Sequence, residues 1–536
     1  MASEHPGSQN FIVNHFFAIE CLYWFEVTNT TASPDGIEKI VSLINGSFPG
    51  PTIIADWGDT VIVHLTNSLT NNGSSLHFHG IRQNYTNDQD GVASLTQCPA
   101  PPGYTTTYKW RATQYGTSWY HSHFSVQAWN GVFGGILING PATANYDEDL
   151  GHLFLNDWFH ATADQMFIRA EYSGPPELDT GLINGTNVYN NSGTVTGSRF
   201  EQVVEEGTSY RIRLVNAAID THFQFSIDNH TFTVIANDLV PIVPYEATVL
   251  NMAMGELDPS LSYTPRGQRY DIILNATQPL SNVTDYWIRA IPGSCSDNAN
   301  ADDIRGILRY DSSSSSTPST ISYITTEATC EDEDSSNLVP YLALDVSDED
   351  YEAELSATVS GSPFRWYLND TTMIVNWDNP TLYQVYNNDT TFNTSEAVYV
   401  LPTEGEWAYV IIEAQAGGAH PIHLHGHDFY VLASGTGTFS TSSATLTTSN
   451  PPRRDVALMP SNGYLVIGFP VDNPGAWLMH CHIGWHTGEG FAIQLLEMQS
   501  KIRDMIDYDS LNEGCQAWNS FTEDTGIDVT TDESGV

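Results

Sequence analysis

Short segments in which apolar and polar residues alternate occur along the whole chain. Examples are TVIVHLTN at 60–67, SYRIRLVN at 209–216 and YLVIGFPVDN at 464–473. A period of two places successive side chains on opposite faces of a strand, and the Val, Ile, Thr and aromatic residues in these segments favour strands. Gly, Pro and Asn-Gly separate the segments, and long amphipathic helical patterns are scarce. The pattern predicts an all-β protein built of Greek-key sandwiches.

One two-strand skeleton occurs three times. It reads WYHSHF then GVFGGILING at 119–140, WIRA then IRGILRYDS at 287–312, and WLMHCHI then GEGFAIQLLE at 477–497. The middle copy has no histidine, so metal ligands are expected only in the first and third copies. We predict three homologous domains over residues 1–141, 142–320 and 321–536, the second boundary lying at the polar segment SSSSSTPST.

The charge balance excludes two classes of partner. Lys and Arg number 18 against 64 Asp and Glu, a formal net charge of −46. Such a chain repels nucleic acid and anionic membranes, and no stretch has the length of a membrane helix. Twelve Asn-x-Ser/Thr acceptors indicate a secreted, extracellular protein.

Four His-x-His elements are the candidate metal-binding motifs: HFH at 77–79, HSH at 121–123, HLH at 423–425 and HCH at 480–482. On a strand, residues i and i+2 face the same side, so each element presents two imidazoles together. A single element is typical of partly exposed strand histidines. Four in one chain predict a cluster of about three copper ions, because neutral imidazole is a preferred copper ligand.

The HCH element places a cysteine on the face opposite its two histidines. Structural zinc sites use paired elements such as Cys-x-x-Cys, which this spacing does not provide. Cys481 with His420 and His486 forms the His₂Cys set of a blue electron-transfer copper. The backbone of Cys481 then links this copper to both cluster histidines.

These motifs resemble those of the multicopper oxidases, and most closely those of ascomycete laccases. The similarity spans nearly the whole chain and includes SSLHFHGIRQ, GTSWYHSHFS, NPPRRDVALMP and DNPGAWLMHCHIGWH. It implies three sequential cupredoxin-like domains, four copper ions, and the oxidation of phenols and aromatic amines coupled to reduction of dioxygen to water. A monomer is expected.

The resemblance also implies which residues hold each copper. The type-1 copper, where substrate is oxidised, takes His420, Cys481 and the catalytic His486, with Phe491 as a non-ligating axial neighbour. Ascomycete laccases usually carry Leu at that axial position. His77 and His423 hold the type-2 copper. The type-3 pair takes six residues: His79, His121, His123, His425, His480 and His482.

Two carboxylates match acids of the family. Asp220, in NAAIDTHF, corresponds to an acid that binds the phenolic hydroxyl and accepts its proton. Asp90, in NDQDGVASL, corresponds to an acid that relays protons to dioxygen. For both residues the alternative is a structural aspartate in a turn.

The resemblance implies two disulfides, Cys98 with Cys515 and Cys295 with Cys330, and leaves Cys21 as a buried, inert thiol. The tail, residues 532–536, resembles the processed end that plugs the channel to the cluster, although Glu533 replaces the family's aspartate. A frayed acidic end is the alternative.

Two other functions stay open. A ferroxidase of the same family requires acidic residues beside the type-1 site, which the sequence alone does not reveal. A copper electron-transfer protein requires only the Cys481 site, and the eight cluster histidines count against it.

Overall fold

The computed structural model describes residues 18–252, 268–277, 283–324, 332–346, 355–362, 365–401, 403–414, 418–442 and 444–526. Most of its regular structure is strand, arranged in three successive β-sandwiches. The first two have apolar cores of their own, and the core of the third extends to residues of the other two domains. The predicted all-β fold is confirmed. Within the described ranges, no helix combines the length and hydropathy needed to cross a bilayer.

In the described part of the chain, the first sandwich contains eight strands: β1 (Glu20–Ala32), β2 (Lys39–Ile44), β3 (Gly50–Asp56), β4 (Thr60–Asn67), β5 (His77–His79), β6 (Thr105–Arg111), β7 (Gly116–His121) and β8 (Phe133–Asn139). They form two sheets, β2-β1-β4-β6 and β3-β8-β7-β5. In β4, Val61, Val63 and Leu65 point into the core, where Tyr120 and Ile136 of the other sheet meet them. The period-two pattern therefore produces one buried face per sheet.

The second sandwich contains thirteen strands among the described residues: β9 (Glu148–Trp158), β10 (Thr180–Ile183), β11 (Val188–Asn191), β12 (Thr194–Gly197), β13 (Glu201–Val203), β14 (Ser209–Asn216), β15 (Phe223–Ile227), β16 (Phe232–Asn237), β17 (Val240–Ala247), β18 (Val249–Met252), β19 (Arg269–Asn275), β20 (Asp285–Pro292) and β21 (Arg305–Arg309). The two main sheets are β10-β9-β14-β19-β16-β17 and β13-β21-β20-β15-β18. Leu155 and Phe225 contribute to their shared core from opposite sheets.

The third sandwich contains eleven strands among the described residues: β22 (Leu355–Ser362), β23 (Arg365–Leu368), β24 (Val398–Val400), β25 (Trp407–Ala414), β26 (His420–Leu424), β27 (Phe429–Thr436), β28 (Arg453–Arg454), β29 (Val456–Met459), β30 (Gly463–Pro470), β31 (Gly475–Cys481) and β32 (Ala492–Glu497). Its sheets are β23-β22-β25-β30-β27-β28 and β24-β32-β31-β26-β29. Strand β31 is an inner strand of the second of these sheets, and side chains on both of its faces are buried.

The α-helices of the described chain are α1 (Ala163–Ser173), α2 (Thr381–Tyr386), α3 (Gly484–Gly488), α4 (Gln499–Ile502) and α5 (Tyr508–Thr525), with 3₁₀ turns at Asn87–Gln89, Gln127–Asn130, Ala301–Asp303 and Thr394–Glu396. Cys515 of α5 forms a disulfide with Cys98, which ties the end of the third domain to the first. This pairing was predicted and is confirmed. The pairing predicted for Cys295 falls on Cys330, outside the described residues.

The repeated skeleton forms an equivalent antiparallel strand pair in each sandwich. Trp119 lies opposite Gly135, Trp287 opposite Ile307, and Trp477 opposite Leu495. Strands β8 and β9 belong to sheets of different sandwiches, and so do strands β21 and β22. The limits at 141 and 320 stay predictions.

Cys21 differs from the expectation in one respect. It is a free thiol, but it is half-buried rather than buried. Burial and the nearby Asp59 carboxylate, 3.7 Å from Sγ, raise its pKa, so the thiol stays protonated and inert. The predicted plug at 532–536 lies outside the described residues.

Candidate metal centres

The four His-x-His elements line one cavity between the first and third sandwiches. Strand β5 pairs with β7 so that His77 lies opposite His121, and β26 pairs with β31 so that His423 lies opposite His480. The rings of His79 and His423, from different domains, stack with centroids 3.9 Å apart. All eight histidines are buried. The cavity therefore exists only where the two domains meet.

The eight imidazoles form overlapping groups that fit several metal ions. Within each group the ligand atoms lie within 4.8 Å of one another. The groups are His77 with His423 and His425, His77 with His79 and His121, and His123 with His425 and His480. The ring of His482 completes the set, 5.0 Å from that of His79.

Hydrogen bonds behind the rings aim ligand nitrogens into the cavity. His77 Nδ1 lies 2.9 Å from the Asp90 carbonyl, and His423 Nδ1 lies 2.7 Å from the Asp455 carbonyl. A carbonyl oxygen only accepts, so each Nδ1 carries the proton and each Nε2 keeps its lone pair. Both Nε2 atoms are buried and have no hydrogen-bond partner among the described residues. A bound metal is the partner that this chemistry requires.

Burial keeps seven of the cavity imidazoles neutral. It lowers the pKa of His480 to about 4. Burial, reinforced by neighbouring rings, also lowers the pKa of six others well below the ordinary histidine value: His79, His121, His123, His423, His425 and His482. Neutral imidazole is the form that binds metal, so these rings are in the protonation state that a ligand requires.

Two buried carboxylates lie directly behind these rings. Asp90, which the sequence predicted, places Oδ2 2.8 Å from His425 Nδ1 and also ends the 3₁₀ turn at Asn87–Gln89. Asp90 thus both ends a turn and contacts a cavity histidine, and its role as a proton relay stays a prediction. Asp455 was missed, although it stands in the quoted motif NPPRRDVALMP. Its Oδ1 lies 3.2 Å from His79 Nε2, and Arg269 donates to both of its carboxylate oxygens.

The opposite face of β31 carries a second, smaller group. Cys481 Sγ lies 3.8 Å from His420 Nδ1 and 3.6 Å from His486 Nδ1, and all three residues are buried. His420 comes from the neighbouring strand β26, and His486 comes from α3 just after β31. A thiolate with two imidazoles is a donor set suited to copper.

Aromatic rings enclose this second group. Phe491 is fully buried, with its ring 4.8 Å from that of His420, and its carbonyl accepts the Cys481 N–H at 3.0 Å. Trp366, which the sequence did not reveal, packs 4.6 Å from His420 and 4.4 Å from His486 between ring centroids. It lies in a plain strand segment, RWYL, with no spacing that points to it.

Asp220 lies in a loop that contacts α3. The Gly484 N–H donates to the Ile219 carbonyl at 3.3 Å, and a side chain at Gly484 would meet Ile219 and Trp129 at 2.6 Å. The packing is therefore close enough to require glycine. It brings the predicted phenol-binding acid beside the helix that carries His486.

Three sandwiches, a Cys-His₂ group and a histidine cavity between the first and third domains define a blue copper oxidase. Sequence models of the multicopper oxidase family match the chain over residues 26–143, 149–261 and 367–501. The chain belongs to the multicopper oxidase family, and copper is therefore the metal these sites take.

Individual members of the family show which proteins this chain is similar to. Laccase-2 of Botryotinia fuckeliana is 47% identical over 527 residues, which cover 94% of this chain and 88% of the relative. The crystal structure of a laccase from Botrytis aclada gives a TM-score of 0.90 at 46% identity, covering 97% of this chain and 95% of that one. Fet3p, a multicopper oxidase that functions in iron import, shares the fold with a TM-score of 0.79 at 24% identity, covering 95% and 96%.

Proposed function

We propose that this protein is a laccase, which oxidises phenols and aromatic amines and reduces dioxygen to water. The proposal depends on residues 480–482. This single strand segment presents a buried cysteine to one site and two histidines to the cavity on its opposite face. A copper electron-transfer protein needs only the Cys481 group. The cavity of eight histidines therefore favours an oxidase.

Four copper ions per chain are proposed. One is held by His420, Cys481 and His486, one by His77 and His423, and two by the remaining six cavity histidines: His79, His121, His123, His425, His480 and His482. When bound, copper supplies one-electron oxidation at the first site and dioxygen reduction at the cluster.

The chain's own residues handle protons and orientation. Asp220 accepts the phenolic proton as the substrate is oxidised, because loss of that proton makes the phenol a better electron donor. Asp90 holds His425 in place and provides a carboxylate through which protons enter the cavity. Trp366 and Phe491 pack against the imidazoles of the Cys481 group and keep water away from them.

The surroundings of the Cys481 group favour a laccase over a ferroxidase. Among the described residues, the aromatic rings of Trp366 and Phe491 pack on His420, whereas carboxylate oxygens are the ligands that suit a ferrous ion. Relatives named laccase are 37–47% identical in sequence to this chain, whereas Fet3p is 24% identical and shares only the fold. We further propose a secreted, extracellular monomer, since the chain carries twelve glycosylation acceptors.

Oxygen uptake by the copper-loaded protein tests the proposal. With a methoxyphenol as donor, one dioxygen should disappear for every four one-electron oxidations, and kcat/KM should exceed that for ferrous ion. A preference for ferrous ion would favour the ferroxidase. A blue protein that consumes no oxygen would favour the electron-transfer protein.

A further inference from the structure

The loop that carries Asp220 is held by a second carboxylate, Asp157, at the end of β9. Asp157 Oδ1 accepts the Ile219 N–H at 2.9 Å, and Oδ2 accepts the N–H groups of Asp220 at 2.8 Å and Thr221 at 2.9 Å. Asp157 is 4% exposed. Three consecutive amides on one buried carboxylate form an anion-binding nest, so the peptide of Asp220 is fixed by charge-assisted hydrogen bonds.

The other polar atoms of this loop connect it to the catalytic region. The Trp129 Nε1–H donates to the Ala218 carbonyl at 2.9 Å, and the Gly484 N–H donates to the Ile219 carbonyl at 3.3 Å. Asp157 therefore binds the N–H groups of this loop, while a carbonyl group of the same loop binds α3. A change at Asp157 therefore shifts the Asp220 peptide relative to His486 while leaving the side chains of both residues unaltered.

A buried lysine from the first domain, Lys39, lies beside the end of β9. Lys39 Nζ lies 3.8 Å from the Trp158 ring and 4.1 Å from the Phe159 ring, the two residues that follow Asp157. The negative charges of Asp157, Asp35 and Asp179 oppose the lowering of the Lys39 pKa that burial causes. His160 faces the same group, with Nε2 2.7 Å from Asp35 and Nδ1 3.5 Å from Asp179.

We propose that Asp157 is a positioning residue for the phenol-binding Asp220, and that Lys39 supplies the counter-charge that keeps Asp157 ionised. The proposal rests on the proposed function of Asp220. Ionised Asp157 accepts all three N–H groups, whereas a protonated carboxyl would turn an O–H donor toward an amide donor and release the loop. Phenol oxidation, which needs the Asp220 carboxylate in place, would then suffer more than electron transfer itself.

Burial makes this arrangement sensitive to pH. Burial raises the pKa of Asp157, whereas the hydrogen bonds from the three amides lower it. It also lowers the pKa of Lys39 to about 7, against the pull of the three carboxylates. Lys39 is therefore charged at acidic pH, where Asp157 most needs a counter-charge, and becomes neutral as the pH rises through 7.

The Asp157→Asn variant tests the proposal. The amide keeps the size of the side chain but places an NH₂ group or a single acceptor before three N–H donors. We expect kcat/KM for a methoxyphenol to fall by about 10-fold or more, with oxidation of a dye that loses only an electron and the blue absorption little changed. Amide hydrogens of residues 219–221 should exchange faster.

Asp228→Asn is the matched control, because Asp228 is a fully buried aspartate that binds Arg289 at 2.7 Å elsewhere in the domain. This variant should leave the phenol-to-dye ratio unchanged.

Lys39→Met gives an independent test should Asp157→Asn fail to accumulate. It should lower the phenol-to-dye ratio at pH 5 more than above pH 8, where the wild-type lysine is already neutral, and add nothing to Asp157→Asn in the double variant. Equal loss for both substrates, or an unchanged ratio in the variants that fold, overturns the positioning role. A wild-type protein that oxidises neither substrate refutes the laccase proposal instead.

Discussion

The two metal centres share strand β31 and differ in what surrounds them. Behind the cavity imidazoles lie the carboxylates of Asp90 and Asp455, a type of group that can accept hydrogen bonds and carry protons. Around Cys481 lie the rings of Phe491 and Trp366, which do neither. Dioxygen reduction at the cavity consumes protons, whereas passing an electron through the copper at Cys481 does not. Each face of β31 therefore has the surroundings that its proposed chemistry needs. Strand alternation alone separates a polar from an apolar environment within one residue.

Among substitutions that leave all copper ligands in place, replacing the Asp90 carboxylate behind the cavity should slow the reaction most. In Asp90→Asn the amide oxygen can still accept a hydrogen bond from His425, so copper should stay bound, but the amide cannot carry a proton. We expect reoxidation of the reduced enzyme by dioxygen to slow by about 100-fold, with reduction of the blue site unchanged. Stopped-flow measurement of the two half-reactions separates them. Unchanged reoxidation would return Asp90 to a purely structural role in its turn.

A substitution beside the apolar side should affect one substrate class. Asp220→Asn cannot accept the phenolic proton, so phenol oxidation should fall by about 10-fold or more, most at acidic pH, where the phenol itself stays protonated. Dyes that lose only an electron should be oxidised at nearly the normal rate. Steady-state kinetics with both substrates measure this, and an equal loss for both would show that Asp220 only supports the loop.

The smallest effect is expected at Phe491, which sharpens the contrast between the two faces. Phe491→Met introduces a thioether that can donate weakly to copper and favour its oxidised state, so the potential of the blue site should fall. Phe491→Leu is the matched control and should change the potential little, since Leu has no lone pair either. Redox titration of the blue band measures both. A potential that is unchanged or raised in the Met variant would mean that Phe491 is not axial.

Local pattern was enough to predict the fold and the grouping of the histidines. Period-two alternation shows which residues share a face, so HFH and HCH each identify two imidazoles on one side without knowledge of the rest of the chain. The skeleton led by Trp119, Trp287 and Trp477 likewise predicted three equivalent strand pairs, which the structure contains.

Contacts between domains could not be predicted in this way. Asp455 meets His79 across 376 positions of sequence, and Lys39 reaches the rings beside Asp157 from another sandwich. Neither residue stands out by periodicity or spacing, because its role depends on how the sandwiches pack. Trp366 reaches the Cys481 group from strand β23, in the other sheet of its sandwich. The burial of Cys21 was overestimated for a similar reason, since a strand pattern does not show how well each position is covered.

The copper content and visible spectrum of Cys481→Ser test most directly the claim that one strand serves two separate centres. Serine is a poor copper ligand, while the cavity histidines keep their places on the other face of β31. We expect about three copper ions per chain to remain, the intense blue charge-transfer band to disappear and phenol turnover to stop. A variant that keeps its blue band, or that loses the cluster copper together with the first, would contradict this account.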